Sequence, residues 1–362
     1  PPPPLPRLAT HPAVERASML PFIVRRMVAM VLMLFALSIV TFLMFAVIPS
    51  DPARLTCGKA CTPQSIEANR HRLGLDEPLV VQYSRFIVGI PCGRIYTTEG
   101  AILQCPALDS TLVAGPGQFE CPAPCLGYSF LEGEPVTTLI TEALPPTVAL
   151  AIGAFILWMV GGITLGIFAA LRRGHWQDRT AMGFSLIGYS FPSFFIGYVL
   201  LYFIIFKWSL LPYPKYVPFA DDPIQWLNSF ILPWITLAML YAAYYVRLTR
   251  NQMLETLGDD YIRTARAKGL PERTVIYRHG FRAGLTPIVT SAGLDLAGLL
   301  GGAIIAEQVF GIPGLGRLSV RSVLDSDLSV IVAIVLLAGA FVIVANIVVD
   351  ILYATIDPRV RL

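Results

Sequence analysis

The chain has 362 residues, 55% of them hydrophobic and only 14% charged, with a formal net charge of +3. A soluble domain carries about 25% charged residues, so the composition excludes a water-soluble enzyme or nucleic-acid-binding module and indicates a polytopic membrane protein. A membrane-crossing helix needs ~20 apolar residues to traverse about 30 Å of hydrocarbon, because unpaired backbone groups cannot be left in lipid.

Residues 1–20, PPPPLPRLATHPAVERASML, are too polar and proline-rich for a signal peptide and lack a small-residue cleavage site. They read as a disordered cytoplasmic lead-in, with Met19 as an alternative start. The first transmembrane helix is expected within residues 21–48, where Met27 to Ile48 has no Asp, Glu, Lys or Arg. Ala143 to Leu171, Thr180 to Phe206, Pro223 to Val246 and Leu328 to Val349 are equally free of charge, and Ala283 to Ala306 is interrupted only by Asp295. This gives six spans. Pro192 and Pro233 are expected to kink theirs, since proline removes a backbone donor and clashes with the preceding turn. Gly162 and Gly166 form a small-xxx-small pair suited to close helix packing.

Lys and Arg beside helix ends are retained in the cytoplasm. With the amino terminus inside, the inner segments hold 15 of them, against four in the short outer loops: Lys207, Lys215, Arg317 and Arg321. Both termini are therefore read as cytoplasmic and residues 49–136 as an extracytoplasmic loop. All six cysteines, Cys57, Cys61, Cys92, Cys105, Cys121 and Cys125, lie in that loop. An even number in an oxidising compartment points to disulfides of unknown pairing, which either staple a loop too small to build a core or shape a docking face. A metal or iron–sulfur site using CGKAC and CPAPC is the competing reading. It lacks a supporting His cluster, His71 standing alone, so no metal is expected.

The stretch DDYIRTARAKGLPERTVIYRHGF, Asp259 to Phe281, is solvated in character between apolar runs. Asp259 or Asp260 can cap a helix, Arg266 and Lys268 suit its last turn, and Gly269 followed by Pro271 stops it. A short helix is predicted from about Tyr261 to Lys268 and another from about Glu272. The apolar stripe of the first, Tyr261, Ile262 and Ala265, is thin, which suits a groove on another protein better than burial in a core. The plainer reading is a loop that holds topology or touches anionic lipid. An ionised Asp295 in mid-span costs about 2.5 to 3.5 kcal/mol, so it lines a wet path or meets a hydrogen-bonding partner. Nearby Gly298, Gly301 and Gly302 favour close helix contact, and Glu307 reads as an exposed interfacial carboxylate. No G-x-x-x-x-G-K-[ST] motif occurs, the one Gly-Lys pair, Gly58-Lys59, being followed by Ala60. If ATP drives this protein, another polypeptide handles it.

The segments DYIRTARAKGL and RHGFRAGLTPIVT are joined by IPSDPAR at Ile48, RHRLGLDEPLVVQY at Arg70, SFPSFFIGYVL at Ser190 and GGAIIAEQVFGIPGLGRL at Gly301. Together they resemble the ABC transporter permease subunits of the dipeptide/oligopeptide importer family. Gly269 matches the hallmark glycine of that family's cytoplasmic coupling segment and Pro287 its downstream proline. Arg263 and Thr264 stand where the generic motif has Glu and Ala, and Pro91 to Leu126 looks like an insertion. The resemblance implies an all-α type I ABC importer transmembrane domain with six transmembrane helices. Its core permease domain would occupy residues 137–355, including a coupling segment at 251–282, with a cytoplasmic tail at 356–362.

The same resemblance implies that Tyr261, Arg263, Ala265, Arg266, Ala267, Gly269 and Leu270 couple to an ATPase. It puts Asp295 and Glu307 in the translocation path or the extracellular gate. The implied partners are a second homologous permease, two ATP-binding subunits, an extracytoplasmic substrate-binding protein and membrane lipid, with no nucleic acid. ATP and Mg would act on the ATPase subunits, leaving this chain without a cofactor or catalytic residue. The implied function is ATP-driven import of peptides across the cytoplasmic membrane by alternating access. The alternative offered by the residues alone is an ion- or proton-coupled secondary transporter that titrates Asp295.

Overall fold

A computed structural model of the chain describes residues 19–47, 53, 62–73, 75–97, 100–103 and 118–356. The expectations for residues 1–18 and 357–362, and those for Cys57, Cys61 and Cys105, lie outside the described residues. Among the described residues the first helix is α1 (Met19–Val47), followed by α2 (Pro63–Leu73) and α3 (Leu79–Cys92). Strands β1 (Arg94–Thr97), β2 (Gly100–Leu103) and β3 (Phe119–Cys121) form an antiparallel sheet in the order β2-β1-β3. A small hairpin, β4 (Tyr128–Ser129) and β5 (Glu134–Pro135), leads into α4 (Val136–Leu171).

Helices α5 (Trp176–Ser190) and α6 (Ser193–Leu200) follow, the latter continued by π-helical Leu201–Lys207. The long α7 (Pro223–Leu257) precedes the short α8 (Asp260–Ala267) and α9 (Glu272–Thr274), which runs on into π-helical Val275–Phe281. The chain closes with α10 (Leu285–Leu300), α11 (Ile304–Phe310), α12 (Leu315–Leu324) and α13 (Leu328–Ile356). Among the described residues, α1, α4, α7 and α13 are long and apolar enough to cross a membrane, and the total rises to six if each of two bent helix pairs is one span.

The core is built on α4 and α7. In lipid the tails are as apolar as the side chains, so helices associate through close packing and hydrogen bonds instead of water exclusion. Glycine provides the closeness. A Cβ at Gly162 would stand 2.5 Å from Cβ of Tyr245, and one at Gly166 would stand 2.6 Å from Cβ of Thr249. Gly153 leaves room for the Trp234 ring, whose Nε1 donates to the Ala149 carbonyl at 3.0 Å. Elsewhere Gly293 accommodates Val349 and Gly339 accommodates Leu37, which seats α10 and α1 on α13. Arg26 of α1 reaches Asp350 of α13 at 3.0 Å.

The third expected span is not one helix. Phe191 and Pro192 take extended backbone (ψ of 135° and 145°), and the axes on either side differ by 99°. Proline pushes the residue before it out of the helical region, so the expected kink is a break. Pro233, by contrast, lies inside a helix that runs unbroken. The fourth expected span continues eleven residues past Val246 to Leu257, because Arg247 and Arg250 end an apolar run without ending a helix. The fifth stops at Leu300, well short of Ala306. Gly302, at φ +128°, lies so close to Gly316 that a Cβ there would meet backbone at 2.9 Å. Gly301 does sit against Ala338, whereas Gly298 faces open space.

The region before α4 is held by side chains from several elements. Tyr83 of α3 pairs with Ser38 of α1 at 2.7 Å and packs edge-on against Phe42. Tyr96, Phe119, Tyr128 and Phe130 form an aromatic cluster beside the Cys121–Cys125 disulfide. Ser129 donates to the buried carboxylate of Asp327, tying the hairpin to the start of α13. Burial raises the Asp327 carboxyl above the usual aspartate range, and the Ser129 hydrogen bond opposes that rise.

Candidate functional site

Three groups of residues outside simple packing stand out, at the two ends and in the middle of the helical body. In the middle, α7 and α10 bring Tyr245 and Asp295 together, the tyrosine hydroxyl donating to Asp295 Oδ2 at 2.6 Å. Asp295 also lines an open cavity of about 770 Å³, with Ser291 one turn earlier on α10 and Tyr241 and Tyr244 on α7. The broken segment Tyr189–Phe194 forms another wall, and Leu240, Leu294 and Ile305 complete the lining. Asp295 thus has a hydrogen-bonding partner and faces a cavity. Tyr241 stacks on the fully buried Trp158 with ring centroids 4.5 Å apart, fixing this wall to α4.

Glu307, expected to be an exposed carboxylate at the end of the fifth span, is fully buried in the separate helix α11. Its Oε1 accepts from Thr147 Oγ1 at 2.9 Å, and its Oε2 accepts from the Arg317 amide at 2.8 Å. The Leu315 amide donates in turn to Thr147 Oγ1 at 2.8 Å. Leu315 and Arg317 open α12, so Glu307 and Thr147 satisfy amides at its amino end, where orphan donors and the helix dipole favour an anion. Gly314 makes room, since a Cβ there would stand 2.5 Å from the Glu307 carboxyl. The signal was present in sequence as a glutamate four residues before G-I-P-G-L-G and an amphipathic stretch from Leu315, but sequence does not show that the carboxylate folds back onto the start of that helix.

At the third group, α8 follows α7 directly. Asp259 occupies the N-cap position without a side-chain hydrogen bond, and Asp260 pairs with Arg263 at 3.4 Å, so neither carboxylate acts as the expected cap. Gly269, at φ +75°, adopts the left-handed turn that ends the segment. Ile262 and Ala265 are buried against Val275, with Leu257 beside them, so the thin stripe does anchor the helix within this chain. Ala265 consequently faces inward. Tyr261, Arg263, Arg266, Ala267, Gly269 and Leu270 are exposed, and Arg266 is paired with Glu272 at 2.7 Å.

Asp178 and Arg250 were missed by sequence reasoning, which treated Arg250 as a topogenic charge. Arg250 donates from Nε to Asp178 Oδ1 at 2.6 Å and from its terminal nitrogen to Oδ2 at 2.8 Å, and the Gly174 amide donates to Oδ2 at 3.0 Å. The pair joins the start of α5 to the charged extension of α7. Among the described residues no group of three or more His, Cys, Asp or Glu is arranged to hold a metal.

A mostly helical body, with a carboxylate facing an open cavity and a short, half-exposed helix between long apolar ones, fits the membrane subunit of a transporter. Residues 162–362 match the family of binding-protein-dependent transport system inner membrane components, and residues 19–151 match that family's N-terminal membrane component. The chain belongs to this family. It is 37% identical over 341 residues to a putative peptide transport system permease protein of Brucella abortus, covering 94% of this chain and 98% of that one. A probable peptide ABC transporter permease protein of Sinorhizobium fredii is 33% identical over 340 residues, covering 94% and 99%. The glutathione transport system permease protein GsiC of Escherichia coli K12 is 36% identical over 343 residues, covering 95% and 99%.

The chain is therefore a permease subunit of an ABC importer and an integral protein of the cell membrane. It is non-catalytic: ATP is hydrolysed on a separate subunit of a complex that also includes a binding protein. The proton-coupled alternative has no support left.

Proposed function

We propose that this chain is one of two homologous permeases in an importer that moves di- and oligopeptides into the cytoplasm by alternating access. Two ATP-binding subunits and an extracytoplasmic substrate-binding protein complete the assembly, with Mg and ATP held by the former. Counting each bent helix pair as one span gives the six helices of a type I transmembrane domain, and the bias of Lys and Arg supports cytoplasmic termini. The permease core then occupies residues 137–355. Peptide as substrate is supported by relatives named for peptide transport and by one named for glutathione, itself a γ-linked tripeptide.

The observation that carries the coupling role is the two-faced character of α8. Its inner face is fixed by Ile262, Ala265 and Val275, and its outer face offers Tyr261, Arg263, Arg266 and Leu270. A helix held on one side and exposed on the other can transmit a push from a partner to α7 and to the π-helical Val275–Phe281. Ala267 and Gly269 keep the approach close, and Ala265 supports the helix from beneath. Residues 49–136 form a cysteine-rich outer loop stapled by disulfides, a reading supported by the Cys121–Cys125 bond and by the disulfide-bonded state of Cys92. Glu307 holds the gate-side segment in place.

Gly269→Pro tests the coupling role, because proline cannot adopt φ +75°. Affinity purification of the variant permease from native membranes should lose the ATPase subunit while retaining the second permease. Full retention of the ATPase would refute the assignment.

A further inference from the structure

The cavity beside Asp295 has a one-sided chemistry. Its lining contains one carboxylate, the hydroxyls of Ser190, Ser193 and Ser291, and aromatic rings, with no Lys, Arg or His. Arg247 stacks over the Tyr189 ring, 5.0 Å from its centroid, but is not part of the lining; on the wall that holds Asp295 an anion finds no counter-charge, whereas a cation finds a carboxylate and the negative faces of tyrosine rings. The Tyr245 hydroxyl engages Oδ2 of Asp295 and is the carboxylate's hydrogen-bond partner among the described residues. Oδ1 is left for another donor. The volume of about 770 Å³ lies within the range that holds small ligands, roughly 300–1,000 Å³.

The kind of cation follows from coordination. Calcium and magnesium take about six or more oxygen ligands and zinc about three or four protein ligands, and this wall supplies one carboxylate. A primary ammonium needs only three acceptors and is attracted by aromatic faces. Here Asp295 Oδ1 is one acceptor, and the Ser291 hydroxyl, 3.3 Å from the Tyr244 hydroxyl, is a second on the same face of α10.

We propose that Asp295, held by Tyr245 and flanked by Ser291, Tyr241 and Tyr244, is a station for the primary ammonium group of the substrate as it crosses the membrane. This rests on the peptide reading above and deepens it, since α-peptides and glutathione share a free ammonium. Asp295 would then select for the amino end without discriminating between the two. The carboxylate end finds no partner on this wall and is left to other surfaces of the assembly.

The test uses the complete transporter in energised membrane vesicles with radiolabelled trialanine and radiolabelled glutathione. Asp295→Asn keeps an oxygen for Tyr245 but removes the charge. It should lower uptake of whichever compound the wild type imports by about tenfold or more, the range of one charge-assisted hydrogen bond, and Asp295→Glu should restore part of it. Copurification of the ATPase subunit with each variant shows that the complex has formed. Wild-type uptake by Asp295→Asn would overturn the proposal. So would an equal loss in Tyr245→Phe, which keeps the charge, since that would make the hydrogen bond the whole role of Asp295. If the wild type imports neither compound, the peptide reading fails and this inference falls with it.

Discussion

Gly166 faces Thr249 so closely that any side chain there forces the two central helices apart. Gly166→Leu should destabilise the protein by about 1–3 kcal/mol, the usual penalty of overpacking, seen as a lower unfolding temperature in detergent. Gly161→Ala is the control, because a Cβ at Gly161 meets nothing within 4 Å. Asp178 and Arg250 make a second test at the same scale. Both are substantially buried, with side-chain exposures of 6% and 18%, and the geometry is bidentate. Removing one partner of a buried pair leaves an uncompensated charge and costs about 3–5 kcal/mol. Asp178→Asn should therefore lower the unfolding temperature more than Arg263→Gln, which breaks only the exposed pair with Asp260.

At the scale of elements, the segment from Ala303 to Leu324 depends on Glu307. It is buried between Thr147 and the first amides of α12, so Glu307→Gln would remove the anion that the helix end favours and present an amide N–H₂ to other donors. The expected loss is about 1–3 kcal/mol. It should be detected as faster amide hydrogen exchange in Leu315–Leu324, with exchange in α13 little changed. Much of the element plan was legible in sequence, because uncharged runs of ~20 residues have few alternatives in a bilayer. The Gly162/Gly166 seam was legible because small residues four apart on one helix face let another helix approach closely. The failures are where composition and backbone part company. Phe191 and Pro192 are apolar enough to pass as mid-span residues, yet their dihedrals turn the chain. Arg247 ends an apolar run while α7 continues. Glu307 looks interfacial by position, and only the return of α12 over α4 buries it.

On the scale of the whole molecule, the four long helices and two bent pairs form a scaffold whose three polar sites adjoin α7. Its middle carries the Tyr245–Asp295 contact, its far end carries Arg250, and α8 follows directly. On the proposed coupling role, a displacement of α8 would reach α7 through Leu257, on the same helix as the cavity-lining Tyr241 and Tyr244. The sequence marked both ends of this path, through the charge of Asp259 to Phe281 and the isolated Asp295. It marked the stripe of Tyr261, Ile262 and Ala265 but not that Ile262 and Ala265 pack on their own chain, because periodicity shows which face is apolar and not what covers it.

The central claim is that ATP hydrolysis on a partner subunit drives peptide movement past this chain. Its most direct measurement is uptake of a radiolabelled tripeptide by liposomes containing the purified complex, with binding protein outside and ATP or ADP enclosed. The account predicts accumulation with ATP, none with ADP, and loss of accumulation in Gly269→Pro. Accumulation that persists with ADP and follows an imposed proton gradient would contradict it.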